Sequence, residues 1–111
     1  MKQQQTRERV FDLVLSQMAQ VDLNNAPVNV TAEFADSKVA EIHVLVRYDC
    51  YGTKADDADT AATNLADVEQ RRKFLKGETI SFFAGSGKIW LMTADGTEQT
   101  AAVDKEIYKE G

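Results

Sequence analysis

Apolar positions recur with two different periods along this chain. Val10, Phe11, Val14, Leu15, Met18 and Val21 fall on one arc at about 100° per residue, with Asp12, Ser16 and Gln20 opposite and Leu13 inside the polar sector. This spacing predicts an amphipathic helix over residues 7–21, N-capped by Thr6 and ended by Asn24, Asn25 and Pro27. From residue 28 the period becomes two. Val28, Val30, Ala32 and Phe34 alternate with Asn29, Thr31 and Glu33, predicting a strand over 28–35. Ala40, Ile42, Val44, Val46, Tyr48 and Cys50 alternate with Glu41, His43, Leu45, Arg47 and Asp49, predicting a second over 39–50. A hairpin with the loop Asp36–Lys38 pairs Ala32 with Ile42 and Val30 with Val44, keeping one face apolar.

A second helix is predicted over 58–76, where Ala58, Ala61, Leu65, Val68 and Leu75 form a narrow stripe. Asp56, Asp57 and Asp59 stand at its start, Arg71, Arg72, Lys73 and Lys76 at its end, and Gly77 follows. That order suits the helix dipole and a glycine C-cap. The last third reads as a three-stranded meander with turns at Gly85-Ser86 and Asp95-Gly96. The first turn sets Phe82 opposite Ile89 and Ile80 opposite Leu91. Residues 1–6 and 104–111 are expected to fray or, at the C-terminus, to add a short helix. The expected fold is one α+β domain over 1–111, of order αββαβββ, with an antiparallel sheet of about five strands packed by two helices.

Composition agrees with a globular domain: 43% hydrophobic and 28% charged residues. The net charge of -5 comes from 13 basic and 18 acidic residues, the wrong sign for a phosphate-tracking groove or an anionic membrane surface. Direct nucleic-acid binding and membrane association are therefore not expected. The sequence MKQQQT at the N-terminus lacks the apolar stretch of a signal peptide, and one cysteine allows no internal disulfide, so a cytoplasmic setting is expected.

Four constellations invite a chemical reading. Asp49, Asp56, Asp57 and Asp59 resemble a hard-cation cluster, but the glycine and terminal glutamate of a calcium loop are missing and helix capping needs only what is there. His43 and Cys50 lie seven residues apart, on opposite faces of one predicted strand, which forbids a Cys–His dyad unless a bulge intervenes. Under a loop wider than Asp36–Lys38, Glu33 stands across the hairpin from His43 as an ordinary cross-strand pair, and Cys50 is expected simply to pack. Gly85-Ser86-Gly87-Lys88 ends like a phosphate loop, but the first glycine of that pattern is replaced by Phe82 and Ile89 follows the lysine. The basic cluster Arg71, Arg72, Lys73, Lys76 fits a helix C-terminus, with contact to phosphate or an acidic partner as the alternative. No catalytic, cofactor or metal residue is assigned.

What is left over is apolar. Phe83, Trp90 and Met92 oppose the apolar face of the predicted hairpin, Leu45 does the same in the first hairpin, and Phe74 lies off its helical stripe. Either the chain's own helices cover these faces or one face meets another protein; on the second reading these five are the candidate partner-binding residues, since aromatic residues and methionine are enriched in interface cores. The expected function is a small acidic, non-enzymatic protein-interaction module: an adaptor, a chaperone, or an inhibitor of the immunity type found in mobile elements. It binds another protein or a second copy through a sheet face. The alternative is a small-molecule pocket between helix and sheet, lined by residues such as Phe11, Tyr48 and Trp90. A metal-dependent enzyme ranks below both.

Overall fold

The computed structural model describes residues 13–111. It is mostly β: eight strands form two four-stranded antiparallel sheets, with one short helix between two strands of the same sheet. The elements are β1 (Leu13–Leu23), β2 (Val28–Asn29), a 3-10 turn (Ala32–Ala35), β3 (Val39–Val46), β4 (Cys50–Lys54), α1 (Ala58–Leu65), β5 (Arg72–Phe74), β6 (Thr79–Phe83), β7 (Ile89–Thr93) and β8 (Gln99–Glu110). Sheet A runs β1-β8-β3-β6 and sheet B runs β2-β7-β4-β5. Their inner faces share one core, with Ile42, Val44, Val103 and Ile107 from sheet A meeting Cys50, Phe74 and Leu91 from sheet B. The αββαβββ order with two packing helices is therefore corrected.

Each departure has a local cause. The predicted helix over 7–21 is a strand from Leu13 onward, and residues 7–12 lie outside the described residues, as do Thr6 and the expected fraying of 1–6. Ser16 is the extra residue of a β-bulge: Leu15 pairs with Tyr108, Gln17 with Ile107 and Met18 with Glu106. The Ser16 hydroxyl donates to the Ile107 carbonyl at 3.0 Å. The bulge breaks the strict alternation of a strand, so Leu15 and Met18 share one face at a spacing of three that imitates a helix.

The predicted strand 28–35 is cut to Val28–Asn29. Asn29 Oδ1 accepts both the Thr31 N–H and the Thr31 hydroxyl at 2.9 Å, which bends the chain into the 3-10 turn. The predicted 28–35/39–50 hairpin is not formed, because β2 pairs with β7 while β3 pairs with β6 and β8. The alternation of 39–46 survives as β3, but the chain leaves sheet A after Val46 and enters sheet B at Cys50.

The second helix ends at Leu65. Asp67 accepts the Glu69 N–H at 2.9 Å on its side chain and the Gln70 and Arg71 N–H groups on its carbonyl, closing a turn in place of another helical turn. Arg72–Phe74 then becomes an edge strand, with Phe74 opposite Cys50. Phe74, off-stripe in a helix, reaches the core as a strand residue. Gly52 makes room for it: a Cβ there would stand 2.6 Å from the Phe74 ring and 2.7 Å from Leu91.

The Gly85-Ser86 and Asp95-Gly96 turns exist, but neither closes a hairpin. Ile80 and Phe82 pair with Val44 and Ile42, and Leu91 pairs with Gly52 and Val28, so the turn carries the chain from one sheet to the other. Residues 104–110, expected to fray, belong to β8 and lie between β1 and β3. Lys105 disguised the strand, since it occupies an inward position between Val103 and Ile107. Its ammonium is paired with the Glu33 carboxylate and also donates to the Val30 carbonyl at 3.3 Å. Glu33 thus serves Lys105, not His43.

Removing the acid strands a buried ammonium. Glu33→Ala is expected to lower the unfolding free energy by about 3 kcal/mol, the low end for a broken buried pair because Glu33 keeps some solvent contact. Lys105→Met combined with Glu33→Leu is expected to recover most of that loss. Urea denaturation measures both; equal stability of Glu33→Ala and wild type contradicts the pairing.

Candidate functional site

The outer face of sheet A is a plane of side chains in three ordered rows. Cross-strand pairing places Leu15, Tyr108, Glu41 and Phe83 in the first row. Met18, Glu106, His43 and Ser81 form the second, and Gln20, Asp104, Leu45 and Thr79 the third. Three apolar side chains there remain open to solvent: Met18 at 69%, Phe83 at 57% and Leu15 at 43% exposure. The helix α1 packs instead on β4 and β7 of sheet B.

The centre of this face is a polar block tied by its own contacts. His43 Nε2 meets Glu41 Oε2 at 2.9 Å, and its ring lies 4.9 Å from that of Tyr108 at a tilt of 45°. The Tyr108 hydroxyl donates to Glu106 Oε2 at 2.8 Å. That hydrogen bond, then burial and the neighbouring carboxylate charges, raises the phenol pKa above its ordinary value. In the third row Arg47 Nε donates to Asp104 Oδ2 at 2.8 Å, which lowers the Asp104 pKa and raises that of Arg47. The block is held in shape by neighbours and keeps negative charge at its centre.

The five residues proposed from sequence are divided among three places. Phe83 and Leu45 lie on the outer face of sheet A. Trp90 and Met92 belong to the outward rows of sheet B, level with Thr53 and Tyr51. Trp90 Nε1 donates to the Ala55 carbonyl at 2.8 Å. Phe74 is buried in the core. Leu15, Met18, Glu106 and Tyr108 are not singled out by the sequence, because residues 7–21 read as a helix and 104–111 as a frayed end; Glu41 reads only as a polar strand position, and His43 is weighed only as a catalytic or structural histidine. The signal in 103–108 was a plain period of two, Val103, Lys105 and Ile107 against Asp104, Glu106 and Tyr108.

The other constellations also find places. Asp57 caps α1, its Oδ1 accepting the Thr60 N–H at 2.7 Å, which holds its pKa below the usual carboxylate value. Among the described residues no three His, Cys, Asp or Glu side chains converge as a metal-binding set. His43 and Cys50 stand in different sheets. Two open clefts flank the sheet junction. One, about 530 Å³, is lined by Leu45, Arg47, Tyr48 and Lys76 among others, and the second, about 470 Å³, by Tyr48, Tyr51, Lys73 and Lys76 among others. Trp90 lines neither, and Phe11 lies outside the described residues. No family model, curated protein or solved structure matches this chain.

Cys50 is fully buried, and desolvation, followed by the charges of Asp49 and Glu78, pushes its thiol up to about 12. With the thiolate suppressed and the sulfur covered, native Cys50 is expected to react with a thiol reagent at least about a hundredfold more slowly than the urea-unfolded chain. Comparable rates in the two states contradict a packing role.

Proposed function

We propose that this protein is a non-enzymatic protein-interaction module of the adaptor, chaperone or inhibitor type, acting in the cytoplasm and binding a protein through the outer face of sheet A. The observation that carries this reading is the exposure of Leu15, Met18 and Phe83 on one face of a four-stranded sheet. A sheet face with one wet side ordinarily alternates cleanly to polar residues, whereas here large apolar side chains stand exposed at both edges of the face, Leu15 and Met18 on β1 and Phe83 on β6. Between these edges, Tyr108 and His43 add aromatic surface whose polar ends are already hydrogen-bonded, so little side-chain freedom is lost on binding.

The test separates surface from fold. Met18→Glu with Phe83→Ser changes only exposed side chains and is expected to keep the circular dichroism spectrum and melting behaviour of wild type. Captures from host extract with the two proteins are expected to differ by at least one species retained only by wild type. Identical captures, with the variant folded, overturn the sheet-face reading. Met18→Glu alone provides the same comparison should the double variant fail to fold.

A further inference from the structure

We infer that the occupant of this face is a second copy of the chain, docked head to tail, with the basic ridge of residues 68–76 of one molecule on the outer face of sheet A of the next. The inference rests on the sheet-face reading and names the partner.

The ridge is the counterpart of that face in both charge and apolarity. Val68 is 72% exposed and Leu75 52% exposed, and Arg71, Arg72, Lys73 and Lys76 stand between and beside them. Arg71 lies over the Tyr51 ring, 3.8 Å from guanidinium carbon to centroid, and donates to the Leu65 carbonyl at 3.3 Å. Residues 68–76 carry four basic side chains against one acid, Glu69; of the acids beside them, Asp49 accepts the Lys76 N–H at 2.9 Å and Glu78 accepts the Leu75 N–H at 3.2 Å. Neither Lys73 nor Lys76 forms an ion pair with a carboxylate among the described residues. On sheet A the situation is reversed. Glu41 meets His43 and Glu106 meets the Tyr108 hydroxyl, and neither meets a lysine or arginine among the described residues.

Within one molecule the two surfaces do not pair with each other among the described residues, and Glu41 is out of reach of the ridge. The ridge joins sheet A at the far end of β3, where the Gly77 N–H donates to the Val46 carbonyl at 2.8 Å. Glu41 is five residues back along that strand, about 17 Å at the rise of a β-strand. That exceeds both side-chain reach and the screening length of about 8 Å in physiological salt. Two sheet A faces set against each other bring carboxylate to carboxylate, which electrostatics opposes. Ridge on face instead pairs ammonium with carboxylate and covers apolar side chains on both sides. Because the two surfaces differ, the contact is heterologous and continues to rings or filaments.

Sedimentation of the full chain decides the matter. At low salt the wild-type mass is expected to exceed the monomer and rise with concentration, and to fall to the monomer at high salt. Glu41→Lys with Glu106→Lys destroys one surface, and Lys73→Glu with Lys76→Glu destroys the other. Each variant alone is expected to be a folded monomer. Their equimolar mixture is expected to give twice the monomer mass and nothing larger, since each keeps one working surface. An unfolded charge-swap pair is replaced by the corresponding Gln substitutions, with at least about tenfold weaker assembly expected. Wild type that stays monomeric at low salt, variants that still assemble alone, or a mixture that stays monomeric overturns the inference. A monomeric wild type leaves sheet-face binding itself to be decided separately, by the capture experiment with Met18 and Phe83.

Discussion

The pairing of β8 on both edges is the constraint on which the rest of the structure depends. β8 holds β1 through nine paired positions and β3 through seven. Its odd residues, Val103, Lys105 and Ile107, face the core, and its even residues, Asp104, Glu106 and Tyr108, form the middle of the outer face. One strand thus sets the register of both surfaces, and a slip by one residue exchanges them. The Lys105–Glu33 pair opposes such a slip. The buried ammonium is matched by a carboxylate in the native register, and shifted registers strand it in apolar surroundings.

The second organising feature is the passage of the chain between sheets. Among the described strands, only β4 and β5 are consecutive in sequence and share a sheet. Every other connection crosses from one sheet to the other, as at Val46 to Cys50, Phe83 to Ile89 and Thr93 to Gln99. The core is therefore assembled mainly from residues distant in sequence. The Phe83–Ile89 connection turns on glycines of positive φ at Gly85 and Gly87, with Ser86 bonded back to the Phe83 carbonyl at 2.6 Å. The tight turn is real, but it redirects the chain where a hairpin would fold it back.

The candidate site inherits its character from this arrangement. α1 covers strands of sheet B, leaving the outer face of sheet A to be finished by side chains alone. Those side chains divide into a centre that bonds to itself, Glu41, His43, Glu106 and Tyr108, and an apolar margin of Leu15, Met18 and Phe83. A patterned, rigid centre with a greasy margin suits recognition of a complementary surface. Glu41 and Glu106 of this face and the ammonium groups of Lys73 and Lys76 belong to one chain but form no ion pair with one another among the described residues.

Some of this was legible in the sequence. The period of two marked β3 and its inward residues Ile42, Val44 and Val46, Asp57 announced the start of α1, and the apolar neighbourhood of Cys50 matched its burial. Glycine and aspartate marked the turns at 85–86 and 95–96. These are local statements, and local chemistry carries them: side-chain alternation, a cap, a turn residue. Which strands pair was decided by the tertiary structure. Val28, Ile80 and Leu91 each fit a nearby partner on paper and Phe74 fits none, but non-local pairing brings all four to one core where the local hairpins leave two half-covered sheets. Nor does periodicity anticipate a bulge such as Ser16 or an inward lysine such as Lys105. Both read as violations until the Ile107 carbonyl and the Glu33 carboxylate, 91 and 72 residues away, are beside them.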